Sequence, residues 1–366
     1  MDDHGRPTRP DPAAPHPSVD GIDASRVAAW LGANVDGLQA PFAFARVVGG
    51  RSNLTFVVTD AGGRRLVLRR PPLSHVLSSA HDMGREHRII AALRSSPVPV
   101  PEALGFCQDE SVNGSPFYVM SHVDGYVLRG ASETERILDE GSRRSAGEHL
   151  VDVLVALHEL DVDAIGLGDL ARRGDYIGRQ LKRWHGQFLH SQAQEVHAGV
   201  HRPVPLVEEV HQLLASRVPG QQGVVLAHGD YRLDNTIVGP DGRVRAVLDW
   251  ELSTLGDPLA DLGTLLIYWA DGAEAGGGAA RPSTALPGFP TRAELAERYA
   301  AGAGRDIAHL GYYVAFAHWR LACILEGVYA RYAAGAMGSD RSDAPAIADQ
   351  VGRRADAAMR ALERWP

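Results

Sequence analysis

"LAHGDYRLDN", residues 226–235, is the stretch on which the reading of this chain turns. The apolar run 224–227 reads as a buried strand, and His228, Asp230, Arg232 and Asn235 follow directly on it. The next segment, "TIVGPDGRVRAVLDWE" (236–251), has two strand-like runs, 236–238 and 244–248, around "GPDG", which carries the residues of a tight turn. A hairpin brings its open ends together, so Asp230 and Asn235 before it are expected near Asp249 after it. A loop offering Asp and Asn, with a further Asp past the returning strand, suits Mg2+, which takes hard oxygen ligands and usually one or two carboxylates plus phosphates.

The spacing Asp230-x-x-x-x-Asn235 followed by Asp249 matches the catalytic loop and metal-binding Asp of kinases. His228-Gly229-Asp230 would stand where protein kinases carry His-Arg-Asp. His228 itself reads more readily as a structural group holding backbone carbonyls than as a catalyst. Asp257 and Asp261 in "GDPLADLG" are expected to cap a helix and brace the loop.

Upstream, "DASRVAAWLGANV" (23–35) reads as a helix capped by Asp23 or Ser25. "FAFARVVGGRSNLTFVVTDAGGRRLVLRRPP" (42–72) alternates, is rich in Val, Phe and Leu, and reads as three antiparallel strands joined by "GG" and "DAGG" turns. Gly49, Gly50, Ser52 and Asn53 fall between the first two strands, where backbone N–H groups and small side chains can meet phosphates. Residues 79–94 read as a helix, and 103–125 as two more strands around Asn113-Gly114. On the helix, Met83, Glu86, Ile90 and Leu93 share one stripe, and an unpaired carboxylate there would be costly. Alternation along "LVLRRPP" puts Arg69 on the same face as Val67. The small lobe has no lysine (Lys182 is the only one in the chain), so Arg69 is the expected partner of Glu86.

After about residue 144 the pattern is helix-rich apart from the hairpin at 236–248. The expected architecture is α+β, with a small antiparallel β lobe (21–123) and a larger, mainly helical lobe (124–366) behind a disordered leader (1–20). The leader is polar and proline-rich without an apolar core segment, unlike a signal peptide. Net charge is −8 with a pI near 6.0, which argues against general nucleic-acid binding. Cys107 and Cys323 lie far apart and read as reduced core residues. The longest apolar run, 262–270, is too short to span a bilayer. Together these features suggest a cytoplasmic protein.

Over roughly residues 42–335 the chain resembles the aminoglycoside phosphotransferase (phosphotransferase enzyme) family, a small-molecule branch of the protein-kinase-like fold. "HGDYRLDN" and "VLDWELSTLGDPLADLG" carry the resemblance. Within the family it looks most like the kinase-like domains associated with acyl-CoA dehydrogenases, through "LRRPPLSHVLSSAHDMGREHRII", "PFYVMSHVDG", "LPGFPTRAELAERYA" and "YYVAFAHWRLACILEGVYAR". The resemblance implies a bilobal fold using ATP and Mg2+ to phosphorylate a hydroxyl of a small molecule. It makes Asp230 the base or hydroxyl-orienting group, Arg232 a phosphate contact, Asn235 and Asp249 metal ligands, and Arg69 with Glu86 the phosphate-clamp pair. Met120, Ser121, His122 and Val123 would form the strand whose backbone reads adenine.

For the acceptor, two surfaces are candidates: the Gly/Ala/Pro-rich loop 271–290 and the helix 312–331, where Phe316, Trp319, Arg320, Glu326 and Tyr329 mix aromatic and charged groups. An aromatic stripe at helical spacing is also what a core helix shows. The subfamily resemblance points to a hydroxyacyl-CoA or hydroxy acid. The alternatives are an aminoglycoside O-phosphotransferase and a nucleotide-binding pseudokinase.

Overall fold

The computed structural model describes residues 19–47, 53–73, 82–200, 202–271, 281–335 and 343–364. Most of the expected leader, together with Gly49, Gly50 and Ser52 and positions 272–280 of the acceptor loop, lies outside them. The chain divides into two compact units, one containing residues up to 94 and 100–123, the other 95–99 and everything from 124 on. The segment 95–99 thus departs from the expected lobe: the Pro99 carbonyl accepts from Val247 N, a residue of the larger unit.

In the smaller unit, α1 (Ala24–Asn34) starts where the Asp23 carboxylate accepts from Arg26 N. Then come β1 (Ala43–Arg46), β2 (Leu54–Thr59), β3 (Arg65–Arg70), α2 (Met83–Leu93), β4 (Ala103–Cys107), α3 (Glu110–Asn113) and β5 (Phe117–Ser121). The strands form one antiparallel sheet in the order β1-β2-β3-β5-β4. Alternation sorts β3 into two faces. Leu66 and Leu68 join Val27 and Leu31 of α1 in the core with Phe56, Phe117 and Val119. Val67 and Arg69 point the other way and pair in register with Met120 and Tyr118 of β5. Helix α2 begins at Met83, where the Asp82 side chain caps it by accepting from Arg85 N; positions 79–81 of the expected helix lie outside the described residues.

Asn113-Gly114 is not a tight hairpin turn. Asp109 caps the short helix α3 by accepting from Ser111 N, and Gly114 ends it at φ 71°. The buried Asn113 side chain instead ties this segment to the start of α1: its oxygen accepts from Asp23 N at 2.9 Å and its nitrogen donates to Gly21 O.

The larger unit contains α4 (Ala131–Ile137), α5 (Glu140–His158), α6 (Tyr176–His197) and α7 (Pro205–Ser216), followed by the strands β6 (Val225–Ala227), β7 (Thr236–Val238), β8 (Val244–Val247) and β9 (Thr254–Gly256). It ends with α8 (Pro258–Tyr268), α9 (Arg292–Ala303), α10 (Leu310–Ala333) and α11 (Ala344–Arg364). β7 and β8 form the expected hairpin, with Thr236 opposite Val247. A second two-stranded sheet, β6 with β9, was not anticipated. Its strands have three residues each, too few for a period to show. The two ribbons bracket residues 228–235. Helix α10 packs against α6, α7, α8 and α11, so its side chains are buried around most of its circumference. Among the described residues no helix is long and apolar enough to cross a membrane.

Asn113→Ala should lower stability by about 0.5–1.5 kcal/mol, because the Asp23 N–H loses its acceptor, whereas Gly21 O keeps the Arg70 guanidinium. A thermal melt that matches the parent protein would show that the Asn113 clamp contributes nothing.

Candidate active site

The loop after β6 is held by its backbone. His228 N and Gly229 N both donate to the Asp261 carboxylate, at 2.6 and 2.8 Å. Ser253 Oγ donates to His228 O, and the Arg320 guanidinium donates to Gly229 O. Asp230 N donates to His228 Nδ1 at 3.2 Å, and Asn235 Nδ2 donates to Asp230 O at 2.9 Å. Every polar backbone group from His228 N to Asp230 O therefore has a side-chain partner. Because Nδ1 accepts, the His228 ring carries its proton on Nε2, which donates to Leu248 O at 2.9 Å. His228 is thus a backbone clamp joining the loop to the end of β8, in keeping with its structural reading.

Gly229 is required by the same geometry. Its φ is +84°, and a Cβ there would stand 2.6 Å from Leu252 O.

Asp261 is fully buried on α8 and also faces His158 Nε2 at 3.3 Å. Burial pushes its pKa up, but the His158 bond, the nearby imidazoles and the Gly229 N–H outweigh it, so the carboxyl sits below its ordinary value. Asp257 caps the same helix through Leu259 N. There burial prevails over the bonds from Tyr313, Leu259 and Gln222, and the pKa is raised.

On this frame, Asp230 accepts from Asn235 Nδ2 at 2.9 Å, and the same oxygen forms an ion pair with Arg232, whose Nε lies 3.3 Å away. Burial raises the pKa of Asp230 despite the opposing Arg232, Arg320 and His228. Arg232 also reaches Asp234 at 3.1 Å and stacks over the Tyr268 ring at 4.6 Å. Asp249 contributes to the field at Arg232, and the bond from Leu248 N to Asn235 O fixes the base of the hairpin. Asp249 itself has φ 66°. Non-glycine residues seldom adopt that region, which costs of order 1–3 kcal/mol and is concentrated at functional sites. The structure thus gathers Asp230, Arg232 and Asn235 into one contact group, with Asp249 at its edge.

In the smaller unit, Glu86 is 1% exposed and its carboxylate gathers donors from Arg69, Tyr118 and Asn53. Arg69 Nε lies 3.6 Å from Oε2, Tyr118 OH donates to Oε2 at 2.9 Å, and Asn53 Nδ2 donates to Oε1 at 3.1 Å. Asn53, expected to face phosphate, thus has its amide nitrogen on Glu86. Tyr118 went unseen in the sequence because an aromatic residue on a strand reads as core; the signal was its register opposite Arg69. Ser121 also departs from expectation: its N–H is committed to Glu102 O and its hydroxyl accepts from Glu102 N. It offers no amide to a base, whereas His122 and Val123 lie beyond the strand.

The proposed acceptor helix, α10, is core. Phe316, Trp319, Arg320 and Glu326 are all buried. Trp319 Nε1 donates to Val207 O, Arg202 and Gln192 meet Glu326, and the Arg202 guanidinium lies over Tyr329. A cavity of about 140 Å³ is lined by Arg232, the residue that pairs with Asp230. Its wall includes Arg129, Arg232, Asp234, Tyr268, Ser283 and Thr284.

The model of the phosphotransferase enzyme family matches residues 43–311. Among curated proteins, acyl-CoA dehydrogenase family member 10 of Mus musculus is 37% identical over 290 residues, and family member 11 of Gallus gallus is 37% identical over 300. The matches cover 78% and 80% of this chain but only 26% and 37% of those proteins. A protein of Ralstonia eutropha JMP134, provisionally named an aminoglycoside phosphotransferase, is 30% identical with a TM-score of 0.77, covering 94% of this chain and 99% of that one. Choline kinase of Cryptosporidium parvum shares the fold, with a TM-score of 0.62 at 12% identity over 93% of this chain and 96% of that one. The fold is the α+β, kinase-like one.

Asp261→Asn turns one acceptor oxygen into an N–H2 facing an N–H donor. It should cost about 1–3 kcal/mol, whereas Asp241→Asn on the exposed hairpin should stay within about 0.5 kcal/mol. Equal melting temperatures for the two variants would contradict this account of the loop.

Proposed function

Because this chain belongs to the phosphotransferase enzyme family and so is a small-molecule kinase with an alcohol as acceptor, we propose that it uses ATP to phosphorylate the hydroxyl of an anionic substrate, a hydroxyacyl-CoA or related hydroxy acid. The observation that carries this reading is the braced loop, whose Asp230 carboxylate pairs with Arg232, a residue that lines a cavity together with Arg129. Among the described residues Asp234 is the one acidic group of that wall, and it pairs with Arg232, so the cation the wall offers beyond that pair is Arg129. A polycationic aminoglycoside needs several free carboxylates there; an anionic acceptor needs cations. The names of the curated relatives, acyl-CoA dehydrogenase family members, agree with an acyl-thioester acceptor.

Asp230 accepts the hydrogen bond of the acceptor hydroxyl and then its proton. Its position is fixed by Asn235 and by the loop backbone, so little reorganisation accompanies the reaction. Arg232, always charged and forked, is placed to steady a phosphoryl oxygen near the carboxylate. Arg69, held against Glu86, takes the part that lysine plays in kinases, gripping ATP phosphates. The donor set suits Mg2+: the Asn235 nitrogen is engaged by Asp230, leaving its oxygen as the ligand atom, and Asp249 supplies a carboxylate. Bound to these two residues, Mg2+ supplies neutralisation of phosphate charge.

Two substitutions separate the roles. Asp230→Asn should lower kcat by at least about 10²-fold, within the usual range for removing a general base, with Mg-ATP affinity nearly unchanged. Asp249→Asn should weaken Mg-ATP binding first. The base must be ionised, so activity is lost as pH falls through the Asp230 pKa, and burial places that limb above the ordinary carboxylate value. Equal loss of nucleotide affinity in both variants, measured by calorimetry, would refute this division.

The acceptor is tested with Mg-ATP against hydroxyacyl-CoA thioesters, free hydroxy acids and kanamycin-type compounds. Phosphorylation of the anionic substrates is expected, weakened by Arg129→Ala through KM. Turnover of the aminoglycosides alone would overturn the assignment.

A further inference from the structure

Away from the phosphoryl-transfer loop, α6 and α7 bring together His185, Glu208 and His211, whose ligating atoms all lie within 4.8 Å of one another. Glu208 and His211 occupy positions i and i+3 of α7 and so share one side of it, forming a Glu-x-x-His pair. His185 approaches from α6, with Nε2 2.7 Å from Glu208 Oε2. All three are only partly exposed.

The His211 ring stacks on Trp319 at 5.5 Å between centroids. His185 stacks on it nearly parallel at 3.8 Å and is hydrogen-bonded to Glu208, so the His185 ring has to turn out of this stack for both histidines to ligate one ion. The His211 ring leaves Nδ1 buried with no hydrogen-bond partner, 3.9 Å from Glu208 Oε1. That separation is too long for a hydrogen bond but falls within the roughly 3–4 Å that two ligands of one zinc ion subtend when each bond is about 2.0–2.2 Å. A cation bound between the two atoms would satisfy both.

We propose that His185, Glu208 and His211 form a transition-metal site, best suited to Zn2+, with water completing a tetrahedral set and the ion clamping α6 to α7. Two imidazoles and one carboxylate favour zinc over magnesium, which prefers oxygen. The site therefore differs in chemistry from Asn235 and Asp249. A shallow surface pocket bordered by Leu181, Gly186, Ala215 and Val218 reaches both histidines and gives the ion a way in. Glu208 also bonds Gln212, an outer partner that orients the carboxylate.

The test uses the untagged full chain, stripped with chelator and titrated with zinc chloride in the absence of nucleotide. Calorimetry should show one equivalent bound at micromolar affinity or tighter, with a raised melting temperature. Co2+ at the same site should give the visible absorption of a tetrahedral ion. His185→Gln and Glu208→Gln should each weaken binding by at least about 10-fold, while phosphoryl transfer by the stripped protein with Mg-ATP stays at the parent level. Glu208→Gln keeps side-chain size, so it decides the matter if His185→Gln fails to fold. No saturable binding up to about 100 µM zinc, well above the affinities of structural sites, would overturn the proposal. So would unchanged affinity in a folded variant, because the ion would then sit elsewhere.

Discussion

The structure depends most on one buried carboxylate. Asp261 accepts from His228 N and Gly229 N, and with His158 beside it the charge is held below its ordinary pKa inside the larger unit. A charge placed there without partners would be expensive. With three donors converging on it, the same charge draws two consecutive backbone amides inward. The chain must then turn at Gly229, at a φ that glycine tolerates, and Asp230 emerges at the far side. Arg320 and Ser253 close the remaining carbonyls, so each polar group of the loop has one geometry available to it.

This explains why function-bearing residues sit on so short a piece of irregular chain. A loop left to itself samples many conformations, and ordering it when substrate arrives would cost about 1–2 kcal/mol per residue. Here the ordering is done when the protein folds. The smaller unit repeats the principle with Glu86, whose buried carboxylate gathers Arg69, Tyr118 and Asn53. In both cases a carboxylate surrounded by donors sets the position of a neighbouring working group.

Much of this was legible in the sequence because the relevant signals are local. The Asp230–Asn235 spacing, the following hairpin and the place of Glu86 on an apolar stripe are each contained within a short window. Asp82 as the cap of α2 and the β6–β9 pair were harder, since a cap depends on where the preceding chain turns and three-residue strands carry no period. Asn113-Gly114 misled because its side chain serves a distant helix end in place of a turn. Arg320 was the most opaque. An arginine on an aromatic stripe suggests a ligand surface, whereas its partner here is the carbonyl of Gly229, and a carbonyl leaves no mark in sequence.

The central claim is that the loop is set before any substrate binds. Native-state amide hydrogen exchange on the ligand-free protein measures this at His228, Gly229 and Asp230. Strong protection of all three amides, comparable with that of core helix α10, is the predicted result. Exchange as fast as in exposed loops, with protection developing only when nucleotide or acceptor is added, would contradict it.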